Sequence, residues 1–334
     1  MTPRIFDAAL SGLTTALDPT QMAPKLGQLL ATDSGTDPSA WRVVGVELLK
    51  HKPGRRCALA YTVDGPGGRR QLFAKTFKND RGATILVNMS SFHTAISGTS
   101  LLVPQPLGYF PEIKMLVTEF IDGRSLATAL YDGRSQEPAR RMAAAAAIFH
   151  ACGVACARKW NPKKEIRNTK EWITGLSGRS NGPTPRARSV LDALETAATE
   201  MPQDIGLSIH RDFYPEQIRD AFGVTALLDL DDTRAGDPAI DIANFLAHLT
   251  LREIQFPEAA HGCAIARSAF VDEYELRKHS EEPGQVPFAA RVRFYHATSL
   301  LRLSGVYGAR ERWAALVPEK LLDACEGVVT EVVS

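Results

Sequence analysis

Two stretches of the chain run from apolar residues into acids. The first is Leu207-Ser208-Ile209-His210-Arg211-Asp212-Phe213-Tyr214-Pro215-Glu216-Gln217, and the second is Ala226-Leu227-Leu228-Asp229-Leu230-Asp231-Asp232. Read as short buried strands, they deliver Asp212 and Asp229 to one edge, where the apolar runs stop. Gln217 lies on the returning loop, within reach of the same point. Carboxylates and an amide oxygen, with no Cys or His cluster beside them, make a hard-oxygen donor set that selects Mg²⁺ or Mn²⁺ over Zn²⁺. Magnesium usually binds through one or two carboxylates plus substrate phosphates, so a set this sparse implies a phosphorylated ligand. Asp231 is a further ligand if the second strand continues, because it then shares a face with Asp229; otherwise Asp231-Asp232 is a polar strand end.

A cation suited to those phosphates stands far away in the chain. Period-two alternation over Arg70–Phe77 puts Phe73, Lys75 and Phe77 on one face of a strand. A lysine between two aromatics on a covered face needs an anionic partner. A metal, a lysine on the phosphates and a separate aspartate on the attacking hydroxyl are the parts that phosphoryl transfer uses.

The elements that must position these residues follow from the local pattern. Residues 1–40 read as a polar and amphipathic leader with one or two short helices, ended by Asp33–Ser39. Arg42–Lys50, Arg56–Val63 and Arg70–Phe77 are strands separated by Pro53-Gly54 and by Asp64-Gly65-Pro66-Gly67-Gly68, turns short enough to force antiparallel pairing. Asp80–Ala95 is a helix, Val103–Pro106 an extended connector and Met115–Phe120 another strand. Helices then dominate: Glu137–Cys152, Pro185–Thr199, Pro238–Leu251, Ala260–Lys278, Pro287–Ser304 and Pro318–Val332. The basic stretch Ala157–Asn181 is irregular. Strands first and helices afterwards, with a hinge near residue 120, is an α+β bilobal order.

Composition bounds the partners. A chain of 334 residues is two domains or one large bilobal unit. With 39 Lys+Arg against 38 Asp+Glu, a net charge of +1 gives no global attraction for nucleic acid. No apolar run approaches the roughly 18 residues of a membrane helix, and the first residues lack a signal-peptide core. Five scattered cysteines fit a reducing, cytoplasmic setting.

Taken together, the motifs resemble those of the aminoglycoside phosphotransferase / choline kinase-like family of small-molecule kinases, from about Val43 to Leu249. The family's His-x-Asp-x-x-x-x-Asn is similar to His210-Arg211-Asp212 through Gln217, its metal-binding Asp to Asp229, and its Gly-Asp-Pro-x-x-Asp to Gly236-Asp237-Pro238-Ala239-Ile240-Asp241. The resemblance implies a bilobal protein-kinase-like α+β fold, with a small antiparallel-sheet N-lobe and a larger, mostly helical C-lobe. Residues 1–40 are then a helical N-terminal extension, 41–121 the nucleotide-binding N-lobe, and 122–334 the C-lobe with the catalytic and metal-binding loops and the acceptor pocket. It implies an ATP- and Mg²⁺-dependent phosphotransferase that moves the γ-phosphoryl group to a hydroxyl of a small molecule. Asp212 is then catalytic and Gln217 and Asp229 are metal ligands. Lys75, Gly54 in the nucleotide loop, and the backbone of Glu119 and Ile121 in the hinge strand Met115–Ile121 bind the nucleotide. The alternative is a nucleotide-binding pseudokinase with a regulatory or scaffold role.

The sequence departs from the family at several points. Gln217 replaces Asn, which keeps the amide oxygen but adds a methylene. No acid lies in Thr84–Ala95 to pair with Lys75; Asn88 stands where that partner is expected, and Glu112 is another candidate. The loop Lys50–Arg56 holds a single glycine. Asp237 and Asp241 read as a helix start and His210 as a core histidine. Cys152 and Cys156, one helical turn apart, read as packing. Arg211 either reads a phosphate or forms an internal ion pair. The basic run Arg158–Lys170 is a solvated face or a rim for an anionic substrate. Glu253, Glu258 and Asp272 are the acids available to a cationic acceptor.

Overall fold

In a computed structural model of the chain, the described residues are 5–175, 184–278 and 286–333, with side chains to residue 331. Residues 176–181 of the basic stretch lie outside them. The chain divides into two compact units, Met1–Ser97 with Leu102–Asp122, and Gly98–Leu101 with Gly123–Ser334.

The first unit is built on the expected meander. Strands β1 (Arg42–Lys52), β2 (Arg56–Gly65) and β3 (Gly68–Phe77) pair antiparallel. Gly54 takes φ +68 in the β1–β2 turn, a left-handed conformation that glycine adopts without steric cost. Helix α3 (Arg81–Ile96) follows, and β4 (Leu101–Leu102) lies where the chain passes between units. β5 (Pro106–Phe110) and β6 (Met115–Glu119) complete a sheet of order β1-β2-β3-β6-β5. The extended connector thus runs directly into a strand, and the hinge strand stops at Glu119.

Register sorts the two faces of this sheet. Cys57 pairs with Thr76 and Thr76 with Met115, whereas Ala58 pairs with Lys75 and Lys75 with Leu116. Directly opposed residues share a face. Cys57, Leu59, Tyr61, Leu72, Ala74, Met115 and Val117 therefore form one apolar face. The N-terminal helices α1 (Leu13–Ala16) and α2 (Pro19–Ser34) supply Leu13, Met22, Leu26 and Leu30 to the same core. The leader is thus part of the first unit's core. Lys75, Phe73 and Phe77 belong to the opposite face, and Lys75 is only 8% exposed.

The second unit opens with β7 (Arg124–Ser125), α4 (Leu126–Asp132) and α5 (Glu137–Ala151). Because α5 stops at Ala151 and Gly153 turns the chain at φ +72, Cys152 and Cys156 do not share a helix face. Most of the basic stretch is not irregular: it forms α6 (Pro162–Gly175), which buries Pro162, Glu165, Ile166, Thr169 and Ile173. This helical spacing sinks one face and leaves the lysines on the other. α7 (Pro185–Ala197) starts on a Thr184 cap. Then come β8 (Leu207–Ile209), the hairpin β9 (Ile218–Ala221) and β10 (Val224–Leu227), and β11 (Arg234–Gly236), which pairs with β8. Helices α8 (Ala239–Gln255), α9 (Ala260–Arg277), α10 (Phe288–Gly308) and α11 (Val317–Val333) finish the unit, with α10 packed on both α8 and α11.

Gly236 allows β11 to sit close beneath the site. A Cβ there would lie 2.6 Å from Ile209 Cδ1 and 3.1 Å from the Trp160 carbonyl oxygen. Ile209 is fully buried, so it has little room to give. Gly236→Ala is expected to cost about 1–3 kcal/mol by overpacking, read as a lowered urea midpoint at unchanged slope.

Candidate active site

The segment that carries Asp212 leaves β8 through a strained residue. Arg211 has φ +67, a left-handed conformation uncommon for a long side chain. Asp241, fully buried near the start of α8, holds it there: its carboxylate accepts the backbone N–H of His210 at 2.6 Å and of Arg211 at 2.7 Å. His150 Nε2 donates to the same carboxylate at 3.0 Å, and the Tyr274 hydroxyl donates to His150 Nδ1 at 2.8 Å. The Arg211 guanidinium lies 3.4 Å over the Trp160 ring centroid. Burial pushes its pKa down, while Glu165 and Asp232 oppose that. Arg211 thus stacks on Trp160 within electrostatic reach of Glu165 and Asp232. Asp237 does a separate job, accepting Ala239 N–H at 3.0 Å and Arg291 Nη1 at 2.7 Å. The acids of Gly236–Asp241 thus brace structure.

His210 ties the two acid-bearing segments together. It is fully buried, and its Nε2 donates to the Leu228 carbonyl at 2.8 Å, immediately before Asp229. Leu228 N–H donates to the Gln217 carbonyl at 2.9 Å. Asp229 then turns left at φ +58, and a short 3₁₀ turn, Leu230–Asp232, follows. The second strand therefore does not continue, which removes the basis for placing Asp231 on the Asp229 face. Among the described residues no group of three His, Cys, Asp or Glu side chains is arranged to hold a metal.

Asp212, Gln217 and Asp229 come together. Gln217 Nε2 lies 3.5 Å from Asp212 Oδ2 and donates to the Tyr214 hydroxyl at 3.1 Å. Burial pushes the Asp212 carboxyl up from its ordinary value; Asp229 and Asp232 add to this, while His210 and Arg302 favour the charged form. A pair of carboxylates that disfavour each other's charge, with an amide beside them, is a donor set that suits a hard divalent cation.

Lys75, Gly54, Glu119 and Ile121 belong to the first unit. Lys75 lies buried in mid-strand with Nζ 5.5 Å from the Phe73 ring centroid. Glu112 is not its partner, because that carboxylate bonds Lys25 on α2. Gly54 N–H donates to Asp7 Oδ2 at 2.8 Å, and His51 Nε2 lies 2.8 Å from the same oxygen. Glu119 N–H donates to the Gln105 carbonyl at 2.8 Å, and the Thr118 hydroxyl donates to the Glu119 carbonyl at 3.0 Å.

Sequence reasoning missed the residues that come from the helices. The Tyr214 and His248 rings stack at 4.3 Å and 15°. Asn244 Nδ2 donates to the Phe213 carbonyl at 3.1 Å, and Arg302 Nη2 donates to Asn244 Oδ1 at 2.7 Å. Asn244 and His248 are four residues apart on α8, a spacing that marks one helix face but not what that face meets.

A small antiparallel sheet followed by a helical body, with two aspartates and an amide held by a braced loop, is the protein-kinase-like α+β architecture. The chain belongs to the phosphotransferase enzyme family (APH), whose sequence signature matches residues 60–279. Solved structures share the fold. A choline/ethanolamine kinase family protein from Mesorhizobium loti is 15% identical over 93% of this chain and 99% of its own, with TM-score 0.59. A thermostable mutant of aminoglycoside phosphotransferase APH(4)-Ia is 16% identical over 91% and 98%, with TM-score 0.58. Another thermostable mutant of that enzyme, 15% identical over 91% and 97% with TM-score 0.55, was crystallised as a ternary complex with AMP-PNP and hygromycin B. Choline kinase LicA from Streptococcus pneumoniae is 14% identical over 92% and 99%, with TM-score 0.57. Curated protein sequences give no match to the chain.

Proposed function

We propose that this phosphotransferase uses ATP and Mg²⁺ to phosphorylate a hydroxyl of a small molecule. The observation that carries the reading is Gln217 Nε2 3.5 Å from the Asp212 carboxylate with Asp229 within electrostatic reach, on segments braced by Asp241 and His210. Asp212 receives the hydroxyl: its carboxylate accepts the hydrogen bond, orients the oxygen for in-line attack and takes the proton as the new bond forms. A raised pKa makes it a better proton acceptor than an ordinary exposed aspartate. Asp229 and the amide oxygen of Gln217 would hold Mg²⁺, which would supply neutralisation of phosphate charge. Lys75 is assigned the α- and β-phosphates, and the Glu119 and Ile121 backbone the adenine.

The five cysteines are free thiols, in keeping with a reducing, cytoplasmic setting. Among the described residues no helix is long and apolar enough to cross a membrane.

Calorimetry with AMP-PNP in the presence and absence of Mg²⁺ tests the reading, together with ADP release over a panel of hydroxyl compounds. Lys75→Met is expected to weaken AMP-PNP binding by about 10–100-fold, the loss of a charge-assisted contact of roughly 1.5–3 kcal/mol. Metal-dependent binding with no turnover of any hydroxyl compound would instead support the scaffold role.

A further inference from the structure

The N-terminal leader reaches the turn between β1 and β2. Lys52-Pro53-Gly54-Arg55 closes through an Arg55 N–H bond to the Lys52 carbonyl at 3.0 Å, with proline second and glycine third at φ +68. That residue order suits a type II turn. The Gly54 N–H, in the centre of the turn, does not point into solvent. It donates to Asp7 Oδ2 at 2.8 Å, and His51 Nε2 lies 2.8 Å from the same oxygen. The other carboxylate oxygen accepts the Ala9 N–H at 3.0 Å, which fixes the acid to its own segment.

Strand register shows from which side Asp7 grips the turn. His51 is directly opposed to Cys57, a member of the apolar core face. Ile5 and Leu10, on either side of Asp7, pack into that same core, and the Asp7 side chain is only 8% exposed. The opposite face collects cations. Lys50 is opposed to Ala58 and Ala58 to Lys75, while Lys52 is opposed to Arg56 and Arg56 to Phe77. Lys50, Lys52 and Arg56 therefore share the face of Lys75, the face suited to a polyanion. The Asp7 carboxylate holds the turn from behind that face and does not stand between the cations and a phosphate.

We infer that Asp7 is a positioning residue of the nucleotide site: by holding the Gly54 amide it presets the β1–β2 turn, so that the cationic face of the turn is in place when the triphosphate arrives. This rests on the phosphotransferase reading above and deepens its nucleotide site. A segment that must be ordered during binding lowers affinity, and one ordered beforehand does not. The leader thus contributes to nucleotide affinity without touching the nucleotide.

Calorimetry on wild type, Asp7→Ala and Asp7→Asn, with AMP-PNP plus Mg²⁺ and separately with adenosine, tests it. Asp7→Ala is expected to weaken AMP-PNP by about 3–10-fold, the scale of one hydrogen bond, and to leave adenosine, which has no phosphate, within about 2-fold. Asp7→Asn keeps an acceptor oxygen for Gly54 and is expected to regain part of the affinity. Asp18→Ala is the control. It strips the cap of α2, where Asp18 accepts the Thr20 N–H at 2.9 Å, and is expected to lower Tm with AMP-PNP affinity unchanged. Unaltered or tighter AMP-PNP binding by Asp7→Ala, an equal loss for adenosine, or the same loss in Asp18→Ala overturns the inference. Should Asp7→Ala not fold, Asp7→Asn is read in its place: weaker AMP-PNP with adenosine unchanged supports the inference, and no weakening overturns it. A wild type that binds no AMP-PNP with Mg²⁺ would sink the phosphotransferase reading and this one with it, whereas the other outcomes leave that reading standing.

Discussion

Asp212→Asn is expected to lower kcat by about 10²–10⁴-fold, the range for loss of a positioned general base, while AMP-PNP still binds. The substitution keeps shape and one oxygen but removes the charge that receives the proton. Stability supplies an independent sign. Burial, with Asp229 and Asp232 nearby, raises the Asp212 pKa above its unfolded value of 3.8. A carboxyl raised in the folded state binds its proton more tightly there than in the unfolded chain. Its contribution is then favourable at low pH and is lost as pH rises through the folded pKa. At neutral pH the ionised group opposes folding, so Asp212→Asn should melt at or above the wild-type temperature in EDTA without nucleotide. An inactive variant that is no less stable marks a residue kept for chemistry. An Asn variant with near-wild-type kcat, or one inactive only because it unfolds, would remove Asp212 from the mechanism.

Legibility in the sequence followed the range of the interaction. The β1–β3 meander and the helix after it are specified by alternation and turn residues a few positions apart, and they lie within a residue or two of where the pattern puts them. Asp212, Gln217 and Asp229 were legible because two short apolar runs announce where the chain surfaces. What failed depended on one backbone torsion or on a distant element. Nothing local announces that Asp229 takes φ +58, yet that turn decides that Asp231 follows a 3₁₀ turn and not a strand face. In α6 the charges hid a helical spacing from Pro162 to Ile173 that was present all along. Arg302 and His248 reach the site from separate helices, so no spacing within either one reveals it. Glu112 looked available to Lys75 only because its actual partner, Lys25, lies on α2 in the N-terminal leader.

The larger structural effect is expected at Asp241. Its carboxylate is the shared acceptor for two backbone N–H groups, His210 and Arg211, and for His150 Nε2. The Arg211 amide belongs to a residue held at φ +67, a conformation that costs about 1–3 kcal/mol and persists only when its surroundings fix it. Asp241→Ala leaves both amides buried without an acceptor, at about 1–3 kcal/mol each, so roughly 2–6 kcal/mol of stability should go. Asp241→Asn keeps one oxygen and turns an NH₂ toward the remaining donors, so it should recover only part of that loss. Because the same carboxylate fixes the residue before Asp212, activity should fall even where the protein stays folded. At 15 °C in stabilising salt, folded Asp241→Asn should show a lowered kcat with an unchanged affinity for AMP-PNP. Chemical denaturation checks the first part and single-turnover kinetics the second. A folded variant with wild-type kcat would make Asp241 a core residue only, and the brace on the catalytic segment would have to come from the His210–Leu228 bond and the Arg211–Trp160 stack alone.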